Sequence, residues 1–325
     1  MKSFDEITQL VSSEIEQLDW HKEPSGLYEP IGYVLSMGGK RIRPVLTLMA
    51  CNLFSDDIKQ AMNSAIGLEI FHNFTLLHDD IMDRADVRRG KPTVHKKWND
   101  NTAILSGDVM QIASYRFIAQ TPEKYLKQTL DLFSQTATEI CEGQQYDVDF
   151  ETRVNVMAEE YLEMIRLKTA VLLGCALKIG AITGGAGEKD AQLLYDFGID
   201  IGLAFQLKDD LLDVFGNEAT FGKKIGGDIL CNKKTYLLIH ALILAKADDA
   251  SELQYWLNTT GENNATSKIE AVTSLYSKLG VKTICEDKMQ YFYNKAIANL
   301  QKVSVLENKK HELRNLAEKL MFRQE

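Results

Sequence analysis

The chain has 325 residues and a net charge of -9, with 45% hydrophobic and 26% charged residues, the balance of a soluble globular protein with a substantial core. That acidity argues against nucleic acid, whose binders present basic surfaces, although a few local bases can still hold an anionic substrate. Five scattered cysteines, Cys51, Cys141, Cys175, Cys231 and Cys285, lack C-x-x-C spacing, which points to free thiols in a reducing compartment.

The N-terminal stretch mixes acids into an amphipathic pattern without an unbroken apolar run. Neither a signal peptide nor a membrane span is expected, and the chain is read as cytoplasmic. Only 5 prolines occur in the chain; because proline breaks helix interiors, their scarcity favours an all-helical protein. Apolar residues recur at helical spacing almost throughout. The first helix is predicted from Phe4 to Leu18, then a loop from Trp20 to Pro30, then a short helix closed by Gly38 and Gly39. Pro44 is placed at the first position of the next helix, behind Lys40, Arg41 and Arg43. Ser55 reads as the cap of a long helix reaching Arg84, Gly90 and Pro92 mark a loop, and another helix begins near Thr102. Thr121 and Pro122 give a restart, an N-cap followed by proline. Further helices are predicted over 122–148, 156–182, 189–215 and 228–247, with GGAG at 184–187 between two of them. Three weaker amphipathic helices, broken near Gly261 and Gly280, fill the remainder. With no strand alternation and no linker, the fold class is all-α, a single large helical-bundle domain over residues 1–325.

Two segments stand out: LLHDDIMD, with Asp79, Asp80 and Asp83, and FQLKDDLLD, with Asp209, Asp210 and Asp213. In each, the first and last aspartates share one helix face, with Cβ atoms roughly 6 Å apart. Like charges so placed cost about 0.2–0.5 kcal/mol per pair, so another charge should compensate. An acidic run on a helix is usually a solvated face. Here the flanks are apolar, with Phe71, Phe74, Leu77 and Ile81 around the first segment and Phe205, Leu207, Leu211 and Phe215 around the second. Carboxylates in such surroundings are expensive to bury unless paired or metal-bound. Oxygen ligands without histidine or cysteine partners point to Mg²⁺ or a similar ion, which is commonly shared between carboxylates and substrate phosphates.

Bases lie close by in sequence. Arg88 and Arg89 follow the first cluster, and Lys40 and Arg43 sit in GGKRIRP at a helix start that already favours anions. Lys168 stands beside Thr169 in an apolar run, and Lys223, Lys224 and Lys233 follow the second cluster. Singly, each has a bland explanation as a snorkelling lysine or an arginine pairing a nearby acid. Together they match the needs of a site holding diphosphates, where bidentate arginine is well suited.

In this order, GGKRIRP, LLHDDIMDRADVRRGKPTVH, the Lys168–Thr169 pair and FQLKDDLLDVFG with GKKIGGD resemble the trans-isoprenyl diphosphate synthases, the farnesyl and geranylgeranyl diphosphate synthase type, from about Gly38 to Thr235. The resemblance implies an all-α fold with a central cavity lined by both aspartate-rich helices, usually in a homodimer. It implies three magnesium ions bound directly by Asp79, Asp83 and Asp209, with Asp80, Asp210 and Asp213 supporting them or ordering water. Arg88, Lys168 and Lys224 would hold the allylic diphosphate (dimethylallyl, geranyl or farnesyl), and Lys40, Arg43, His72 and Arg89 would hold isopentenyl diphosphate. Thr169 and Gln206 would direct oxygens at the carbocation, and Lys233 would be a further substrate contact. The implied reaction is ionisation, condensation and elimination, which needs no side-chain nucleophile. One departure is that Cys231 and Asn232 stand where many relatives carry an acidic residue and glycine.

The same resemblance implies that product length is set beside the helix preceding Asp79. Phe74 lies five residues before it, about 7.5 Å along the axis, and Phe71 eight before, about 12 Å. With Thr75 rather than an aromatic at the fourth position before Asp79, a twenty-carbon product is favoured over a fifteen-carbon one. A class I terpene cyclase is the nearest alternative, but it would leave Lys40, Arg43 and Arg89 without a role. A non-catalytic subunit of a heteromeric synthase would be expected to lose aspartates that are intact here. A diiron bundle needs two Glu-x-x-His pairs, and only Glu69 with His72 fits. Arg323, near the end of the chain, could reach a diphosphate.

Overall fold

Helices carry nearly all of the regular backbone, as the proline scarcity requires. The structure is a computed structural model describing residues 2–217, 225–261 and 264–322. Helix α1 spans Phe4–Glu16 and opens with a capping box, in which Ser3 Oγ accepts from Glu6 N–H at 3.2 Å and Glu6 Oε2 accepts from Ser3 N–H at 2.7 Å. Ile7, Val11 and Ile15 form its buried stripe. Helix α2, Ser25–Ser36, begins before the predicted loop ends and takes Pro30 into its body. Helix α3, Ile42–Phe54, holds Pro44 in its third position, still within the first turn, where an N–H has no intrahelical partner.

Ser55 closes α3, its N–H bonded to Cys51 O at 2.9 Å, instead of opening the next helix. Asp57 caps the 3₁₀ turn Ile58–Ala61 through Lys59 N–H, and α4 follows over Met62–Met82. The loop marked by Gly90 and Pro92 contains a small antiparallel hairpin, β1 (Val87–Arg88) with β2 (Lys91–Pro92). Two-residue strands are too short to show alternation in sequence. Arg89 at φ 52° and Gly90 at φ 74° form its turn. Then come α5 (Val94–Lys97), α6 (Asp100–Ile118, capped by Asn99) and α7 (Glu123–Thr152).

The predicted helix over 156–182 is α8 (Ala158–Ile165), a π turn (Arg166–Ala170) and α9 (Val171–Gly184). Helix α10 runs over Glu188–Phe215. The predicted helix over 228–247 divides into α11 (Gly227–Leu230) and α12 (Tyr236–Leu244). Among the described residues four α-helices close the chain where about three were expected: α13 (Asp248–Asn258), α14 (Ala265–Lys278), α15 (Val281–Lys302) and α16 (Glu307–Phe322). The extra break, between α15 and α16, is held by a tertiary bond, Ser304 N–H to Asp190 Oδ1 at 2.8 Å.

The chain divides into two compact units. The first comprises Met1–Gln135, Leu172–Tyr195 and Lys302–Leu313, and the second Thr136–Val171, Asp196–Gln301 and Arg314–Glu325. In the first, α4 packs along α6 and against α3, α2 and α1. Being flanked so widely, α4 is buried over most of its circumference, which explains why it is apolar well beyond a single stripe. In the second, α14 packs on α11, α12 and α13, and α8 on α12, around a core including Tyr161, Leu207, Leu237 and Cys285. No helix among the described residues is long and apolar enough to cross a membrane.

Candidate active site

In the first unit, the site residues are set by α4 and by the hairpin that follows it. Helical spacing puts Asp79 half-buried and Asp83 exposed, while Asp80 turns inward and is buried. The chain reverses after α4 through Ala85 N–H to Asp80 O (3.0 Å) and Thr93 Oγ1 to Ala85 O (2.7 Å). That reversal returns Arg88 to Asp80, where Nε lies 2.9 Å from both carboxylate oxygens and Nη2 lies 2.8 Å from Oδ1. Burial nevertheless raises the Asp80 carboxyl above its usual range, against the pull of Arg88. Arg88 is thus the charge that answers the middle aspartate of the first cluster.

Gly38 (φ 76°), Gly39 (φ 129°) and Arg41 (φ 47°) lead into α3. A Cβ at Gly39 would stand 2.8 Å from the Arg89 guanidinium carbon, so glycine admits that side chain, whose Nη1 donates to Gly38 O. Lys40 is exposed. Arg43 Nη1 donates to His72 Nε2 at 3.0 Å. Burial lowers Arg43 to about 10, which still leaves it charged at neutral pH. Burial, then Arg43, Arg89, Arg88 and Arg41, hold His72 well below the usual imidazole range, so its ring is neutral and accepts from Arg43. Arg41 itself turns away and pairs with Glu69 inside the unit at 2.6 Å. Thus Lys40, Arg43, His72 and Arg89 all lie around the α3 start and the middle of α4, together with Glu69.

Phe71, fully buried, and Phe74, 8% exposed, meet with ring centroids 5.4 Å apart. Behind them the rings continue from Phe71 to Phe133 (5.1 Å) and from Phe133 to Tyr115 (4.8 Å). Thr75 Oγ1 donates back to His72 O at 2.8 Å.

In the second unit, Asp209 and Asp213 are half-buried and Asp210 is buried on α10. Tyr161 on α8, itself fully buried, donates to Asp210 Oδ2. Burial and then Asp228 push Asp210 up to about 8, and burial with Asp210 drives the Tyr161 phenol well above its normal range. Asp213 Oδ2 accepts from Asp228 N–H at 3.0 Å, so the last aspartate also organises the α11 turn. Thr169 Oγ1 lies 3.4 Å from Gln206 Oε1.

Lys168 sits in the π turn, where a Cβ at Gly143 of α7 would lie 2.3 Å from its backbone nitrogen; only glycine allows that approach. Its Nζ donates to Asp147 Oδ2 at 2.7 Å. Burial would lower the Lys233 ammonium, but Asp147, Asp228 and Asp210 hold it above its normal value. Burial would likewise raise Asp147, yet Lys233 and Lys168 bring it below the usual range. Lys223, Lys224 and Arg323 lie outside the described residues. Tyr161 and Asp147 escaped the sequence reading because a lone tyrosine or aspartate at helical spacing carries no signal until its partner is known. Cys231 is exposed, while Asn232 (φ 53°) bonds Leu257 O and accepts from Lys268, so this departure from the motif has its own tertiary support.

Because Asp147 has a depressed pKa in the fold, its stabilising contribution is present above about pH 4, the unfolded value, and is lost as pH falls through the lower folded value. Asp147→Asn is therefore expected to cost about 1.5–3 kcal/mol at neutral pH, the range for a hydrogen bond to a charged group. Thermal melts should show that gap closing in acid.

Among the described residues, no three His, Cys, Asp or Glu side chains converge as a metal cage. Each cluster instead offers outer oxygen donors, Asp79 with Asp83 and Asp209 with Asp213, and no nitrogen or sulfur. Such a set suits Mg²⁺, which takes one or two carboxylates and completes its shell with water and phosphate oxygens.

The polyprenyl synthetase family model matches residues 24–276. A geranylgeranyl diphosphate synthase of Methanosarcina mazei is 42% identical over 234 residues, 71% of this chain and 72% of that one. A geranylfarnesyl diphosphate synthase of Natronomonas pharaonis is 41% identical over 244 residues, 70% and 71% of the two chains. The crystal structure of a geranylgeranyl pyrophosphate synthase has a TM-score of 0.94 at 46% identity, covering 100% of both chains. The paired aspartate helices, the bases around them and these similarities agree: the chain belongs to the polyprenyl synthetase family.

Proposed function

We propose that this protein condenses isopentenyl diphosphate with allylic diphosphates (dimethylallyl, geranyl and farnesyl) to give geranylgeranyl diphosphate and diphosphate. The observation that carries the reading is the arrangement repeated on α4 and α10: outer carboxylates on one face and a buried middle aspartate, gripped by Arg88 in one case and Tyr161 in the other. Asp79, Asp83 and Asp209 would hold Mg²⁺ directly, three ions in all, with Asp80, Asp210 and Asp213 supporting them or ordering water. Bound magnesium supplies Lewis-acid stabilisation of the departing diphosphate.

Lys168 and Arg88, with Lys224, bind the allylic diphosphate and Lys233 adds charge beside it. Asp147 keeps the Lys168 ammonium in place until substrate arrives. Lys40, Arg43 and Arg89 bind isopentenyl diphosphate, with neutral His72 orienting Arg43. As the allylic carbon–oxygen bond breaks, Thr169 and Gln206 turn their oxygens toward the cation. The isopentenyl double bond then attacks, and the proton lost from the adjacent carbon passes to the released diphosphate. Positioning and fixed charge do the work, with no covalent enzyme intermediate. Phe74, backed by Phe71, limits the chain at twenty carbons.

The protein acts in the cytoplasm, in keeping with five free cysteines, and as a homodimer. The exposed apolar Leu105 and Ile112, two turns apart on α6, suit a subunit contact. The test is purified protein with Mg²⁺, labelled isopentenyl diphosphate and each allylic starter, the products being dephosphorylated and sized. A discrete twenty-carbon prenol is expected, and a chelator should abolish it. No condensation with any starter, from folded protein with metal present, would refute the reading.

A further inference from the structure

We infer that Glu69 is a positioning residue for isopentenyl diphosphate, acting through Arg41; the inference rests on the assignment of Lys40, Arg43, His72 and Arg89 to that substrate. Four guanidinium groups, those of Arg41, Arg43, Arg88 and Arg89, all act on His72. Arg41 is buried and Arg43 and Arg88 are partly so, and positive charge taken out of water needs anions inside the fold. Asp80 answers Arg88, and Glu69 answers Arg41.

The Arg41–Glu69 pair is almost completely sealed, with side chains 6% and 3% exposed. Arg41 Nη1 lies 2.6 Å from Glu69 Oε1, and its Nη2 donates to Leu35 O at 2.5 Å. Asn73 secures the carboxylate from one turn along α4, its Nδ2 donating to Glu69 Oε1 (2.9 Å) and Glu69 O (2.8 Å). Its Oδ1 is buried without a partner, so the amide is turned to serve Glu69. Arg41 is thus consumed within the protein while its neighbours Lys40 and Arg43 remain available to an anion.

The backbone gives that pairing a consequence beyond stability. Arg41 precedes α3 at φ 47° without a side-chain cap, a left-handed conformation that a long side chain adopts only when its surroundings impose it. The two anchors on its guanidinium impose it here. The conformation at Arg41 in turn sets the directions of Lys40 and Arg43 on either side. Glu69, His72 and Asn73 share one face of α4, so the helix docks the α3 start at two points: Glu69 on Arg41 and His72 on Arg43. Glu69 also draws electrostatically on Arg43 and Arg89, opposing their mutual repulsion.

The test measures KM for isopentenyl diphosphate and for the allylic substrate separately. Glu69→Gln is expected to raise the former by about tenfold or more and leave the latter within about twofold, the pattern of binding lost at one substrate alone. Because the lone Arg41 charge could unfold that variant, Glu69→Leu with Arg41→Met forms the second arm. Removing both members of a buried pair is often neutral for stability, so its melting temperature should return to that of the parent while its isopentenyl KM stays about tenfold high. Recovery of the parent KM by the double variant, or an equal rise for both substrates, would overturn the inference and leave the pair a structural element. The parent enzyme, assayed alongside, separates the two levels. No condensation by the parent refutes the assigned reaction, whereas parent condensation with unchanged KM in the variants refutes only the role of Glu69.

Discussion

Asp79→Ala and Asp209→Ala are each expected to lower kcat by about 10³-fold, equivalent to about 4 kcal/mol of transition-state stabilisation, with little loss of stability. Both residues lie on the partly accessible sides of their helices, and each shares a face with a second aspartate four residues on. Removing one relieves a like-charge pair worth about 0.2–0.5 kcal/mol, so the fold should not suffer. The middle aspartates differ. Asp80→Asn leaves the part-buried Arg88 without its carboxylate, and about 1.5–3 kcal/mol of stability should go with it. Saturation kinetics beside thermal melts separate these classes: activity lost on an intact fold for the outer residues, activity and stability falling together for Asp80. An Asp79→Ala enzyme with parental kcat would remove the first cluster from the reaction.

Phe74→Ala is expected to lengthen the product by at least one isoprene unit. Phe74 is 8% exposed and leans on Phe71, which is fully buried against Phe133. Truncating it removes the first ring of that series and leaves the second, so the new product should again be discrete, with a limit set by Phe71. The variant should also lose about 3–5 kcal/mol, the usual cost of emptying a buried phenylalanine site. Product sizing after dephosphorylation reads the effect directly, and an unchanged product ladder in folded Phe74→Ala protein would sink the chain-length role. Phe71→Ala alone should cost comparable stability and change the product less while Phe74 remains in front of it.

The helical class and most of the helices were legible because their signals are local. The proline pattern is visible by inspection, and the apolar spacing of α4 and α10 repeats over many turns. Boundaries went astray where a tertiary contact outweighed the local signal. Gly143 draws the backbone at Lys168 close enough for a π turn to interrupt one long predicted helix. Asp190 holds the break before α16. Ser55 has the chemistry of a cap at either end of a helix, and the chain used it to close α3.

The aspartates and bases were visible as residue types at telling spacings, since four positions on a helix already fix a shared face. Their partners were not. Arg88 with Asp80, Arg43 with His72, Tyr161 with Asp210, Lys168 with Asp147 and Arg41 with Glu69 join residues 8 to 49 positions apart. Sequence by itself determined the all-α class, the two carboxylate faces, the chemistry they suit and the family resemblance, because each depends on short-range periodicity or on residue order. Only the tertiary structure decided which charges are buried, which base each acid holds and that His72 is neutral, because desolvation and Coulomb interaction depend on distance through space.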